Sequence, residues 1–149
     1  MATIRVTKEF TFEMAHALLG YDGLCKYIHG HSYRLSVTVI GEPIENNNDP
    51  KSGMVIDFRI LKKIVKTTVV DVFDHALVLN KKTPHKKFKG SGEIFDKLML
   101  VDYQPTSENL VVDFVNRINE KLPRNIKLHS LKLRETASSY AEWFADDND

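Results

Sequence analysis

The sequence predicts an α+β protein, an antiparallel sheet with two helices packed on one face. Three observations predict it. Two long N-terminal stretches alternate apolar and polar residues with a period of two, the pattern of half-buried strands. Two later stretches repeat apolar residues at three- and four-residue steps, the pattern of amphipathic helices. A last alternating stretch completes the order β-β-α-α-β, for which two helices on one face of an antiparallel sheet is the simplest packing.

In the first strand Ile4, Val6, Phe10, Phe12 and Met14 share one parity, with Arg5, Thr7, Glu9, Thr11 and Glu13 between them. The next residue of the apolar parity is His16. In the second strand Tyr33, Leu35, Val37 and Val39 share a face opposite Ser32, Arg34, Ser36 and Thr38, and the same face extends back to His31 and His29. Gly41-Glu42-Pro43 and the polar run to Pro50 end it. Asp57 caps a helix from Phe58, with Leu61, Ile64, Val65, Val69, Val72 and Phe73 on the same apolar face as Phe58. A second helix follows Pro105, capped by Thr106 or Ser107, buried through Leu110, Val111, Phe114, Val115, Ile118 and Leu122, and stopped by Pro123. The last strand reads Leu128 to Glu135; Ile126 and Leu128 have the wrong parity for Leu131 and Leu133, which predicts a bulge or a late start. The acidic tail Asp146–Asp149 reads as a frayed, solvated end.

The chain of 149 residues is long enough for one domain with a core, and residues 1–149 are read as one. It is 42% hydrophobic and 28% charged, which argues against disorder. A net charge of +1 gives no support to nucleic-acid binding. The single cysteine, Cys25, excludes an internal disulfide. No stretch approaches the roughly 18 apolar residues of a membrane helix, and the first residues have no signal-peptide character, so a cytoplasmic protein with no membrane partner is expected.

The strongest chemical pattern is Cys25-Lys26-Tyr27-Ile28-His29-Gly30-His31. Residues two apart in an extended chain point the same way, so His29 and His31 can approach one ion. His16 closes a three-histidine site if the two strands pair antiparallel. Three neutral imidazoles suit Zn²⁺ with one position left open, a site that polarises bound oxygen. Cys25 reads three ways: fourth ligand, inert thiol, or thiolate base or nucleophile. Asp74-His75 supplies a carboxylate able to orient an imidazole. Glu135, at the end of an apolar strand face, either receives two N–H groups of a planar heterocycle or faces water as a rim charge. Lys81, Lys82, Lys86, Lys87 and Lys89 form either a triphosphate contact or a solvated loop. Two other classes make different demands on the chain. A zinc-stabilised binding module would unfold without metal; a zinc hydrolase of the common helical type would carry His-Glu-x-x-His, which is missing.

The ordered set Phe12-x-x-x-His16, Cys25-x-x-x-His29-Gly30-His31, Gly53-Met54-Val55-Ile56-Asp57-Phe58, Asp74-His75, Leu77-x-Leu79-Asn80, Pro105-Thr106-Ser107-Glu108-Asn109 and Glu135-Thr136 resembles the 6-pyruvoyl- and 6-carboxy-tetrahydropterin synthase family. The three-residue gap before His-Gly-His, and Ser32 after it, look most like the bacterial 6-carboxy enzyme of the queuosine pathway. The resemblance implies a tunnelling fold whose sheets join into an oligomeric barrel, a homohexamer of two trimers with active sites between subunits. It implies zinc on His16, His29 and His31, Cys25 as proton-abstracting thiolate, Asp74 and His75 as a relay, and Glu135 anchoring the pterin with help from Thr106 or its neighbours. The implied reaction converts 7,8-dihydroneopterin triphosphate to 6-carboxy-5,6,7,8-tetrahydropterin, acetaldehyde and triphosphate. The alternative is the 6-pyruvoyl product from the same substrate. Residues 81–104 exceed the compact bacterial form and read as an insertion, in which Ile94 to Val101 suits a short strand or helix.

Overall fold

A computed structural model describes residues 1–84 and 94–149. Strands β1 (Ile4–His16) and β2 (His29–Gly41) pair antiparallel along their whole length, from Ile4 opposite Gly41 to His16 opposite His29. Helix α1 (Phe58–Val65) runs through a π-helical turn (Lys66–Val70) into the short α2 (Asp71–Phe73). Strands β3 (Ala76–Asn80) and β4 (Lys97–Val101), helix α3 (Ser107–Asn119), and strands β5 (Lys127–Thr136) and β6 (Ser139–Phe144) follow. The sheet order is β4-β3-β1-β2-β5-β6.

Alternation decides what is buried. The inward residues Tyr33, Leu35, Val37 and Val39 of β2 are all 0% exposed, and Phe12 and Met14 of β1 lie beside them. Helix residues Leu61, Val65, Val69, Phe73, Leu110, Phe114 and Ile118 cover this face. Phe12 stacks on Tyr33 and meets Phe114 edge-on, which locks sheet to helix. The Asp57 carboxylate accepts from the Arg59 N–H at 2.8 Å and starts α1, while the Thr106 hydroxyl accepts from the Asn109 N–H and starts α3. The hydroxyls of Thr67 and Thr68 donate to the carbonyls of Lys63 and Ile64, competing with the helix ladder where it widens into the π turn.

Several expectations need correction. The sheet is mixed, because β3 pairs parallel to β1 and β4 pairs parallel to β3. Strand β3 buries Ala76, Leu77, Val78 and Leu79 in succession, so it carries no period of two to betray it. Strand β6 is an edge strand with Tyr140 half exposed, and its alternation is weak for that reason. Phe58 is 49% exposed rather than buried, because at the first position of α1 its ring meets the Lys8 ammonium of β1, 5.9 Å from its centroid, in place of apolar core. Helix α3 ends at Asn119, before Pro123. The Ala145–Asn148 tail is a 3₁₀ turn in which the Asn148 side chain donates to the Phe144 carbonyl, so it is solvated but ordered. The expected bulge is present: Thr38 faces Ser130 but Val39 faces Leu128, leaving His129 as the extra residue. Within 81–104, the later apolar residues form β4. Among the described residues no helix is long and apolar enough to cross a membrane.

Candidate metal centre and adjoining cleft

The pairing of β1 with β2 assembles three imidazoles. His16 and His29 are directly opposite each other at the end of the ladder, and His31 follows two residues on along the same face. Their ligand-capable nitrogens all lie within 4.8 Å of one another. His16 is 2% exposed and the other two are half-buried.

The outer nitrogens are committed. His16 Nδ1 lies 2.7 Å from the Pro105 carbonyl oxygen, and His29 Nδ1 lies 2.7 Å from that of Tyr27. A carbonyl only accepts, so both rings carry their proton on Nδ1. Both Nε2 lone pairs are then directed at one space, 3.0 Å apart. Burial, with His29 and His31 adding to it, pulls the His16 pKa below its ordinary value against the opposing pull of Pro105 and Glu135. Burial likewise lowers His31. His31 Nε2 is buried with no hydrogen-bond partner. Neutral rings, facing lone pairs and one orphaned nitrogen together describe a cation site. The three ring nitrogens are close enough for one ion to be shared among them, and the backbone carbonyls of Pro105 and Tyr27 would act as outer supports that fix ring orientation. The residues fit a bound metal ion.

A cleft of about 260 Å³ opens beside this cluster, lined among others by His16, His29, Cys25, Thr106, Ser107 and Glu135. Cys25 is exposed on the 3₁₀ turn Leu24–Lys26. Ser107 donates its hydroxyl to Glu135 Oε2 at 2.6 Å, while Glu135 Oε1 lies 3.6 Å from His31 Nε2. Glu135 is therefore a half-buried acceptor at the histidine end of the cleft. Ser107, a cap candidate and a neighbour of Thr106 in sequence, thus also holds the cleft carboxylate. Tyr21 and Tyr140 also line the cleft, and Tyr140 sits on a strand the sequence did not reveal.

Asp74 and His75 lie elsewhere. Their side chains pair at 3.0 Å, but His75 lines another cleft with Glu13, Ala15 and Ser32, at which His31 is the one member of the histidine cluster. Within one chain the structure does not bring His75 to Cys25. The turn is strongly held. His75 has φ of 61°, unusual for a residue with a Cβ. Its N–H donates to the Glu13 carbonyl, and Asp74 Oδ1 accepts from the Glu13 N–H at 2.9 Å. Lys97 on β4 donates to the carbonyls of Asp71 and Asp74. Burial would raise the Asp74 carboxyl, but the Glu13 N–H, His75 and Lys97 outweigh it and hold the carboxyl below its ordinary value. Of the lysine cluster, Lys81 and Lys82 are exposed; Lys86, Lys87 and Lys89 lie outside the described residues.

Residues 5–146 match the family model described as 6-pyruvoyl tetrahydropterin synthase. The chain belongs to the 6-pyruvoyl tetrahydropterin synthase family. Among curated relatives, it is 33% identical over 141 residues to a protein of Haemophilus influenzae named 6-carboxy-5,6,7,8-tetrahydropterin synthase, covering 93% of this chain and 97% of the relative. A protein of the same name from Synechocystis is 33% identical over 141 residues, covering 94% and 92%. Solved structures share the fold: 6-pyruvoyl tetrahydropterin synthase of Caenorhabditis elegans has a TM-score of 0.68 at 24% identity, covering 97% of each chain. An uncharacterised protein of Wolinella succinogenes has a TM-score of 0.78 at 19% identity, covering 97% and 99%. For a member of the tetrahydropterin synthase family, the cleft offers a metal-ready cluster, a thiol and a carboxylate along one wall.

Proposed function

We propose that this chain is a zinc-dependent lyase that converts 7,8-dihydroneopterin triphosphate and one water to 6-carboxy-5,6,7,8-tetrahydropterin, releasing acetaldehyde and triphosphate. The observation that carries the reading is the convergence of His16, His29 and His31 on one point beside Cys25 and Glu135. The names of the relatives at 30% identity or more favour the 6-carboxy product over the 6-pyruvoyl one.

His16, His29 and His31 would hold Zn²⁺, which when bound would supply Lewis-acid polarisation of the substrate's side-chain hydroxyls. Glu135 accepts from two N–H groups of the pterin ring, steadied by the Ser107 hydroxyl and with Thr106 at the rim. Cys25 removes a substrate proton as a thiolate. His75, oriented by Asp74, passes protons to and from the ring. The substrate side chain supplies the electrons that reduce the ring, so no nicotinamide or flavin enters. His75 and Cys25 line different clefts of one chain, which supports sites completed by a neighbouring subunit in a homohexamer of two trimers. The whole of residues 1–149 acts as one cytoplasmic domain, with 81–104 as an insertion and no nucleic-acid or membrane partner.

The test is to incubate zinc-loaded protein with 7,8-dihydroneopterin triphosphate and identify products by mass spectrometry. A 6-carboxy pterin with acetaldehyde supports the reading. A 6-pyruvoyl pterin would move the chain to the neighbouring activity, and no turnover of this substrate sinks both.

A further inference from the structure

We infer that Gln104 is a positioning residue that clamps the Cys25-bearing loop to the framework of the metal cluster. Residues 17–28 connect β1 to β2 and carry Cys25. Little apolar packing holds this loop, because Leu24, Tyr27 and Ile28 are 83%, 60% and 56% exposed. Its internal bonds are short-range, with the Leu18 N–H on the Cys25 carbonyl at 2.9 Å and turns closing at Leu18, Gly23 and Leu24. These bonds shape the loop without fixing where it stands over the cleft.

Gln104 supplies that fix. Its Oε1 accepts from the Leu19 N–H at 3.0 Å, and its Nε2 donates to the Leu19 carbonyl at 2.7 Å. The carboxamide thus completes both backbone groups of one residue, as a neighbouring strand would. Leu19 adjoins Leu18, whose N–H holds the Cys25 carbonyl, so the clamp is one residue from the cysteine's own tether.

The other end of the clamp is anchored in the site. The Gln104 carbonyl accepts from the Asn109 side chain at 2.9 Å and from the Thr106 N–H at 2.7 Å. The next residue, Pro105, accepts from His16 Nδ1, and two residues on Ser107 holds Glu135. One short segment therefore references the cysteine loop, a metal ligand and the cleft carboxylate to the same backbone. Only a carboxamide both accepts and donates at this length; a carboxylate in its place faces the Leu19 carbonyl with no proton to offer.

The loop-ordering part stands on geometry alone; the catalytic part rests on Cys25 acting as proposed above. The experiment uses the full zinc-loaded chain with Gln104→Ala and Gln104→Glu. Amide exchange over residues 17–28 should accelerate about fivefold or more, the worth of about 1 kcal/mol of lost hydrogen bonding. Zinc content should stay at the wild-type level. Turnover number on dihydroneopterin triphosphate should fall about 100-fold while KM changes little, as expected when a reacting group is displaced. Unchanged exchange in both variants overturns the clamp. Faster exchange with undiminished turnover overturns the positioning role. If the wild type does not turn over this substrate, the proposed reaction falls, and the exchange measurement still decides the clamp. Should the alanine variant fail to fold, the near-isosteric glutamate, which keeps the acceptor and loses the donor, gives the same readings.

Discussion

His16 and His29 present their Nε2 atoms to each other at 3.0 Å while their Nδ1 atoms rest on backbone carbonyls. Two facing lone pairs repel unless a cation lies between them. His29→Ala should therefore cut bound zinc from near one per chain to about a tenth or less, because two remaining imidazoles make an incomplete site. Elemental analysis after dialysis reads this directly. His29 is only half-buried, so the variant should stay folded, which circular dichroism checks. Full zinc retention would contradict the assignment.

Cys25 should separate chemistry from metal binding. The thiol is exposed and stands on a turn with no core residue, so Cys25→Ala should shift stability by no more than about 0.5 kcal/mol in urea unfolding. Zinc should stay bound. Turnover should drop by about 10²–10⁴-fold, the usual worth of a proton-transferring group. A variant that loses zinc in proportion to activity would make Cys25 a ligand instead.

Much of this was legible because strands write their faces into the sequence. Parity alone put His16, His29 and His31 on the side of Phe12, Tyr33 and Leu35, and the antiparallel register of β1 and β2 made them neighbours. The wrong parity of Leu128 left a bulge or a late start open, and the pairing of β2 with β5 resolves it as a bulge at His129. What stayed hidden lacks periodicity. Strand β3 is buried on both faces, so Ala76-Leu77-Val78-Leu79 alternates nothing. Strand β6 lies at the sheet edge, where Tyr140 and its neighbours are free to be exposed. Gln104 touches Leu19 across 85 positions of sequence, and no local rule links a lone glutamine to a distant backbone amide.

Asp57 gives the fold a measurable response to acid. The Lys51 ammonium, then the Arg59 N–H and guanidinium, hold its carboxyl well below the usual carboxylate range. A carboxylate depressed in the folded state stabilises above its unfolded value of 3.8 and loses that contribution as pH falls through the lower folded value. Asp57→Ala should lower the urea midpoint at pH 7 with an unchanged slope. The gap from wild type should narrow as the medium becomes more acid than pH 3.8. A gap independent of pH would mean the carboxylate charge contributes nothing.

The separation of His75 from Cys25 bears on how the site is completed. They line different clefts of one chain, and neither cleft holds both. If a site takes Cys25 from one copy and His75 from another, two inactive variants should rescue each other. Cys25→Ala and His75→Ala subunits, unfolded together in equal amounts and refolded with zinc, assemble at random. A site is then intact only where a His75→Ala copy, which keeps Cys25, meets a Cys25→Ala copy, which keeps His75, in the correct order. That arises for about one site in four in a closed symmetric oligomer. Recovery of about a quarter of wild-type turnover is expected, with each variant alone near background. If the mixture stays as inactive as its components, both groups serve one chain's site or His75 has no part in it.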